Sequence, residues 1–88
     1  MAIKTISWWL VGPEYWWADL LDENSNIVKQ ADGETGLPSL ASLDVAECAA
    51  SPAIAALASE NKVPLREIYF DRHESLQYAE YYKGGVDG

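Results

Sequence analysis

Aromatic and aliphatic residues dominate the first 28 positions of the chain, and Gly12-Pro13 interrupts them. All four tryptophans flank this dipeptide, two on each side, at positions 8, 9, 16 and 17. Aromatic and β-branched residues favour strands, and Gly-Pro favours a turn. The pattern therefore predicts a hairpin of residues 3–11 and 14–23, followed after a polar turn by a third antiparallel strand over residues 27–30.

The length of the hairpin loop decides which tryptophans share a face, because side chains alternate along a strand. A loop of two or four residues centred on Gly12-Pro13 pairs Trp9 with Trp16 across the hairpin. One face then carries Ile6, Trp8, Leu10, Tyr15, Trp17, Leu21 and Val28, and the other carries Trp9, Trp16, Ala18, Leu20 and Ile27. The first set is the heavier, so we expect a helix to cover it and the second set to be exposed.

From residue 39 onward the apolar residues recur at helical spacing. Ser39 is placed to cap this helix. Because proline lacks an N–H, we expect the helix to kink or restart at Ser51-Pro52. The apolar stripe that should face the core consists of Leu40, Leu43, Ala46, Ala50, Ile54, Leu57 and Ala58.

Residues 65–70 have the composition of a strand, and Asp71 with Glu74 has the spacing of a capping box for a final helix over residues 72–83, with Gly84 as its C-cap. A strand that follows a long helical crossover usually lies parallel to an earlier strand of the same sheet. The predicted fold is therefore α+β (α/β-like) and a single domain over residues 1–88. It consists of an antiparallel three-stranded meander, a helical segment, a parallel fourth strand and a C-terminal helix.

Charge and cysteine content limit the classes of partner that the protein can bind and indicate its cellular compartment. Fourteen acidic and six basic residues give a net charge of −8, and the basic residues are scattered along the sequence. Phosphate backbones are bound by clustered Lys and Arg, so we expect no direct contact with nucleic acid. No apolar run has transmembrane length, and the single cysteine, Cys48, fits a reducing compartment and is expected to be a small buried hydrophobe. These features predict a cytoplasmic protein that binds no cofactor and does not associate with a membrane.

Two short segments resemble ribonuclease H-like domains. Asp44-Val45-Ala46-Glu47 is similar to the helical segment that carries a glutamate in that family, and Ile68-Tyr69-Phe70-Asp71 is similar to the fourth strand with its terminal aspartate. The specific part of the resemblance covers residues 44–85. It implies a ribonuclease H-like core that lacks the last strand and the last helix of the family.

The same resemblance bears on catalysis. Active members bind two metal ions through several carboxylates, one of them in the first strand, whereas residues 3–11 of this chain contain no acid. Glu47 and Asp71 are the two weak candidates for metal ligands. The simpler interpretation is that Asp71 caps a helix and Glu47 lies on a solvated face. We therefore expect no enzymatic activity.

The aromatic content suggests a binding surface, because Trp and Tyr are enriched at interfaces. The leading hypothesis is a non-catalytic acidic protein-binding module: an inhibitor, an antitoxin-like partner or an accessory subunit. Its partner would be another protein with basic groups or a second copy of the chain. The alternatives are a minimal metal-dependent ribonuclease H-like nuclease and a DNA-mimicking decoy. The predicted binding residues are Trp9, Trp16, Leu20, Tyr78, Tyr81 and Tyr82.

Overall fold

A computed structural model describes residues 2–78 of the chain, and within them four strands form one sheet. The strands are β1 (Thr5–Leu10), β2 (Tyr15–Leu21), β3 (Ile27–Glu34) and β4 (Ile68–Phe70), and their order in the sheet is β3-β2-β1-β4. The first three are antiparallel neighbours, and β4 lies parallel to β1. The predicted mixed α+β layout, with a meander and a parallel fourth strand, is confirmed.

The register between β1 and β2 differs from the predicted register by one residue. Trp9 pairs with Trp17, not with Trp16. The hairpin closes through a hydrogen bond of 2.8 Å from the Val11 N–H to the Tyr15 carbonyl oxygen, so residues 12–14 form an odd, three-residue turn. Gly12 adopts φ 71° in this turn, a left-handed conformation that glycine reaches without steric penalty.

The one-residue difference moves every β2 side chain to the opposite face of the sheet. The predicted face assignment of β2 is therefore wrong, and so is the predicted Trp9–Trp16 pair. Trp16 and Leu20, which were expected to be exposed, are 7% and 0% exposed and belong to the core. Their burial removes both from the predicted binding surface.

The core lies between one face of the sheet and the helix α1 (Leu43–Glu60). The Trp8 ring also packs against Phe70 of β4, with 4.5 Å between the ring centroids and 44° between the planes. The buried apolar side chains are Ile6, Trp8, Leu10, Trp16, Ala18, Leu20, Ala46, Ala50, Ile54, Leu57, Ala58 and Val63. One shared core therefore joins the hairpin to the second half of the chain.

Helix α1 is a single helix that begins later than predicted. Its N-cap is Ser42, whose Oγ accepts a hydrogen bond from the Val45 N–H at 3.2 Å, and not Ser39. Pro52 lies inside the helix without ending it. Because Pro52 has no N–H, the Cys48 carbonyl oxygen lacks its helical hydrogen bond. Cys48 and Pro52 are both exposed, so water can take the place of the missing donor. The exposure of Cys48 contradicts the prediction that it is buried.

The segment before β4 is partly a 3-10 helix, Leu65–Glu67, so the fourth strand is shorter than the predicted residues 65–70. The third strand is longer than predicted and extends to Glu34. A second helix, α2, begins at residue 72 and continues to residue 78, the end of the described range. The predicted helix end at Lys83 and the Gly84 cap lie outside the described residues.

Two side chains fix the start of α2, one of them by a hydrogen bond to the sheet. Asp71 caps the helix as predicted, because its Oδ1 accepts a hydrogen bond of 3.0 Å from the Glu74 N–H. The hydroxyl of Ser75, which is fully buried, accepts a hydrogen bond of 2.9 Å from the Leu10 N–H and donates one of 2.8 Å to the Asp71 carbonyl oxygen. The Ser75 hydroxyl thus provides the hydrogen-bond acceptor for a β1 backbone N–H beyond the end of β4. Neither described helix is long and apolar enough to cross a membrane.

Candidate functional site

The sheet face opposite α1 carries an aromatic and acidic cluster, which we call the outer face. The pairing registers place Trp9, Trp17 and Asp32 in one row across β1, β2 and β3. Tyr15 pairs with Glu34 in the adjacent row. The name refers to six residues, Trp9, Tyr15, Trp17, Asp19, Asp32 and Glu34. Thr5, Ser7, Leu21, Gln30 and Tyr69 lie around them on the same side of the sheet. The outer face is thus the aromatic and acidic part of that side. It therefore combines three aromatic rings with three carboxylates and contains no Lys or Arg.

Hydrogen bonds connect the aromatic rings of the outer face to its acids. The Tyr15 hydroxyl donates to Asp32 Oδ2 at 2.6 Å, and the Trp17 Nε1–H donates to Asp19 Oδ1 at 3.2 Å. The Gln30 amide donates to the same Asp19 oxygen at 2.9 Å. These bonds restrict the side-chain rotamers, so the aromatic rings and the carboxylates keep their relative positions on the surface.

The electrostatic environment of Tyr15 follows from this arrangement. The hydrogen bond to Asp32 raises the pKa of Tyr15 above its ordinary value of 10.0, and partial burial and the charges of Asp32 and Glu34 add to the effect. A tyrosine hydroxyl is neutral at pH 7 in any case, and the raised pKa of Tyr15 keeps it a donor to more alkaline pH. The outer face consequently carries its negative charge on carboxylates alone.

Trp9 is the partly exposed aromatic residue of β1 on this face. Its indole Nε1–H is shielded from solvent and has no acceptor within residues 2–78. A buried donor without an acceptor destabilises a protein by roughly 1–3 kcal/mol, so such groups are uncommon in folded proteins. This property singles out Trp9 among the outer-face residues.

The predicted binding residues are divided by the structure. Trp9 lies on the outer face, whereas Trp16 and Leu20 are in the core. Tyr78 is partly buried on α2 at the end of the described range, and Tyr81 and Tyr82 lie outside the described residues. The predicted set therefore includes only one outer-face residue.

The predicted register assigns Tyr15 and Trp17 to the covered face, so the sequence prediction misses both of them and the acids that accompany them. The turn length decides their faces, and the strand residues alone are compatible with an even or an odd turn. A three-residue turn Gly12-Pro13-Glu14, with glycine in the left-handed position, pairs Trp9 with Trp17 and reverses the assignment.

The two candidate metal ligands do not form a metal site with other described residues. The Asp71 carboxylate is engaged as the cap of α2, and Glu47 lies partly exposed on α1. Between residues 2 and 78, no three His, Cys, Asp or Glu side chains are placed to hold a metal ion together. Nearby, Arg72 and Asp44 form an ion pair of 3.4 Å, with side chains 58% and 81% exposed, which makes it a weak contact.

Comparison of the chain with protein-family models, with curated protein sequences and with solved structures found no match.

Proposed function

We propose that this protein is a non-catalytic binding module whose outer face binds a basic segment of another protein. The observation that carries the proposal is the placement of three aromatic rings and three carboxylates on one sheet face without a Lys or Arg among them. An Arg or Lys side chain stacks on Trp and Tyr rings through cation–π attraction and pairs with carboxylates at the same time. The outer face offers both contacts within adjacent cross-strand rows.

The net charge of −8 supports the same partner. Complementary charge accelerates the encounter of two proteins and excludes partners of like charge. Aromatic residues supply contact area with little loss of rotamer freedom. These properties support the proposed role as an inhibitor, an antitoxin-like partner or an accessory subunit.

The fold relationship that we propose is to a ribonuclease H-like core. The antiparallel meander, the parallel fourth strand and the helix that starts after Asp71 support this proposal. The strand β1 contains no acidic residue, and Asp71 already serves as a cap. Both observations support a binding role over metal-dependent cleavage of nucleic acid.

Binding of a fluorescently labelled Arg-rich peptide, followed by anisotropy, tests the proposed function. We expect the Trp9→Ala, Trp17→Ala double variant to weaken binding by about 30-fold or more, the effect of losing interfacial aromatic residues that contribute about 2 kcal/mol. The variant keeps the net charge of the protein, so a loss of affinity reports the aromatic contacts. Light scattering that compares the variant with the unmodified protein detects the competing possibility, self-association through this face.

Two triple variants with equal changes of charge provide the control. One neutralises the outer-face acids, by Asp19→Asn, Asp32→Asn and Glu34→Gln. The other neutralises three acids of α1, by Asp44→Asn, Glu47→Gln and Glu60→Gln. We expect the first to weaken binding much more than the second. Equal losses would show attraction to the net charge alone and would contradict the proposal, as would an absence of binding by the unmodified protein.

A further inference from the structure

A cavity of about 510 Å³ lies at the end of the sheet where β1 begins and β2 ends. Its walls come from the segment before β1, the turn after β2, and the connection from α1 to β4. The residues that line it are Ala2, Ile3, Lys4, Asp22, Glu23, Asn24, Lys62, Pro64, Arg66 and Glu67. The cavity therefore combines a small apolar wall with charged side chains from distant parts of the sequence.

Three of the six basic residues of the chain, Lys4, Lys62 and Arg66, line this one cavity. Backbone hydrogen bonds fix the segments that carry them. The Lys4 N–H donates to the Leu21 carbonyl oxygen at 2.7 Å, and the Lys62 N–H donates to the Ser59 carbonyl oxygen at 3.3 Å. The 3-10 helix Leu65–Glu67 carries Arg66. The fold thus brings these three residues from distant parts of the sequence to one cavity.

The cavity also contains three acids, Asp22, Glu23 and Glu67, and two of them accept hydrogen bonds from groups other than these cations. Asp22 is 4% exposed, and its Oδ1 accepts hydrogen bonds from the Asn24 and Asn26 N–H groups at 2.9 and 3.0 Å, which holds the β2–β3 turn. The Glu67 carboxylate accepts a hydrogen bond of 3.2 Å from the Tyr69 hydroxyl. Throughout residues 2–78, no carboxylate lies within 4.0 Å of the charged groups of these cations.

We propose that this cavity binds the phosphate group of a small phosphate monoester. A monoester carries between about 1.5 and 2 negative charges at neutral pH, which matches several cations better than a single carboxylate does. The guanidinium of Arg66 can form two parallel hydrogen bonds to phosphate oxygens, and the lysines add charge without a geometric requirement. This site is separate from the outer face and does not depend on the proposed function.

The surroundings of the cavity favour a small ligand over a polyanion. The lining contains three basic and three acidic residues, so the remaining three basic and eleven acidic residues carry the whole net charge of −8. A nucleic acid strand that leaves the cavity would meet this negative surface. A single phosphate ester would not, and the volume is within the range of about 300–1,000 Å³ that is typical of small-molecule sites.

Hydroxyl groups on the ligand could donate a hydrogen bond to a carboxylate oxygen of the cavity wall, Asp22 Oδ2. Asp22 Oδ2 is shielded from solvent and has no hydrogen-bond partner in the described part of the chain. A polar atom in that state is unfavourable, so a ligand hydroxyl that displaces the atoms covering Oδ2 and donates to it would remove the penalty. We therefore choose ribose 5-phosphate as the probe, since it supplies both a phosphate and hydroxyl donors.

The test is a titration of the ¹⁵N-labelled protein with ribose 5-phosphate at constant ionic strength, followed by NMR. We expect saturable shifts of the Lys4, Lys62 and Arg66 amides. The Lys62→Gln, Arg66→Gln double variant should raise the Kd at least about tenfold, because it removes two cations that donate charge-assisted hydrogen bonds to the phosphate. Circular dichroism verifies that the variant is folded.

The Lys29→Gln, Arg72→Gln double variant removes the same charge elsewhere and should leave the Kd unchanged. A parallel titration with succinate, a dicarboxylate, distinguishes the phosphate from carboxylate ligands. The proposal is overturned if succinate binds as tightly as the phosphate ester, or if both double variants weaken binding equally. It is also overturned if no saturable shifts occur at the cavity up to ~10 mM ligand.

Discussion

Gly33 shows how a single position can be determined by a neighbour on another strand. It pairs with Trp16 across β2 and β3, on the face that carries the core. A Cβ atom built at Gly33 would lie 2.8 Å from three atoms of the Trp16 indole: Cε2, Cζ2 and Nε1. The ring therefore occupies the space that any side chain at this position would need.

We expect Gly33→Ala to destabilise the protein by roughly 1–3 kcal/mol, the usual effect of overpacking a well-filled site. Chemical denaturation measures the free energy of unfolding. The control is a double-mutant cycle with Trp16→Leu, in which the smaller side chain leaves room for the methyl group. An alanine penalty that stays the same in both backgrounds would show that the indole is not its cause.

The helix α1 shows how the boundary of an element depends on one hydrogen bond. Ser39 and Ser42 are both able to cap a helix, and the apolar period includes Leu40 as well as Leu43. Only Ser42 accepts a bond from a backbone N–H in the first turn, and Leu40 is 96% exposed. The apolar stripe thus begins one turn later than the spacing suggests, because residues 39 and 40 have no core to face.

Ser42→Ala should therefore lower the free energy of unfolding by about 1 kcal/mol, the typical value of an N-cap hydrogen bond. Ser39→Ala is the matched control and should have almost no effect. Thermal melts followed by circular dichroism at 222 nm compare the two variants. A larger loss of stability in Ser39→Ala would place the helix start at the predicted position and contradict the observed cap.

Residues 2–78 share one core, to which α1, β1 and β2 contribute buried residues and β3 and β4 contribute partly buried ones. All four tryptophans lie on β1 and β2, so their fluorescence reports the sheet, whereas circular dichroism at 222 nm reports mainly the helices. Neither layer buries its apolar side without the other. The two layers should therefore unfold together.

We expect the two signals to give coincident denaturation curves. Ile54→Ala, at a site 2% exposed on α1, should shift both curves equally and destabilise the protein by roughly 2–5 kcal/mol. Val45→Ala, at a site 52% exposed on the same helix, is the control and should cause a much smaller shift. Loss of the helical signal at a lower denaturant concentration than the fluorescence change would contradict a single cooperative unit.

Short-range chemistry accounts for the features that could be predicted from the sequence. The hairpin, the third strand, the cap at Asp71 and the parallel fourth strand depend on neighbouring residues or on general rules of connection, and each is present. Periodicity also identifies Ile54 and Leu57 as core residues of α1. For the candidate site, the same reasoning identifies Trp9 as an outer-face residue but does not find Tyr15 or Trp17.

The remaining features depend on contacts between distant parts of the chain. One residue more or less in the turn at Gly12 exchanges the faces of β2, so Trp16 enters the core and Trp17 joins the outer face. Strand chemistry is the same in either register, and the fit of Trp16 against Gly33 is a contact between two strands. Lys4, Lys62 and Arg66 likewise look scattered in the sequence and line one cavity in the fold. Local patterns specify which elements form, whereas side-chain neighbours are specified by how those elements pack, and both binding proposals depend on these neighbours.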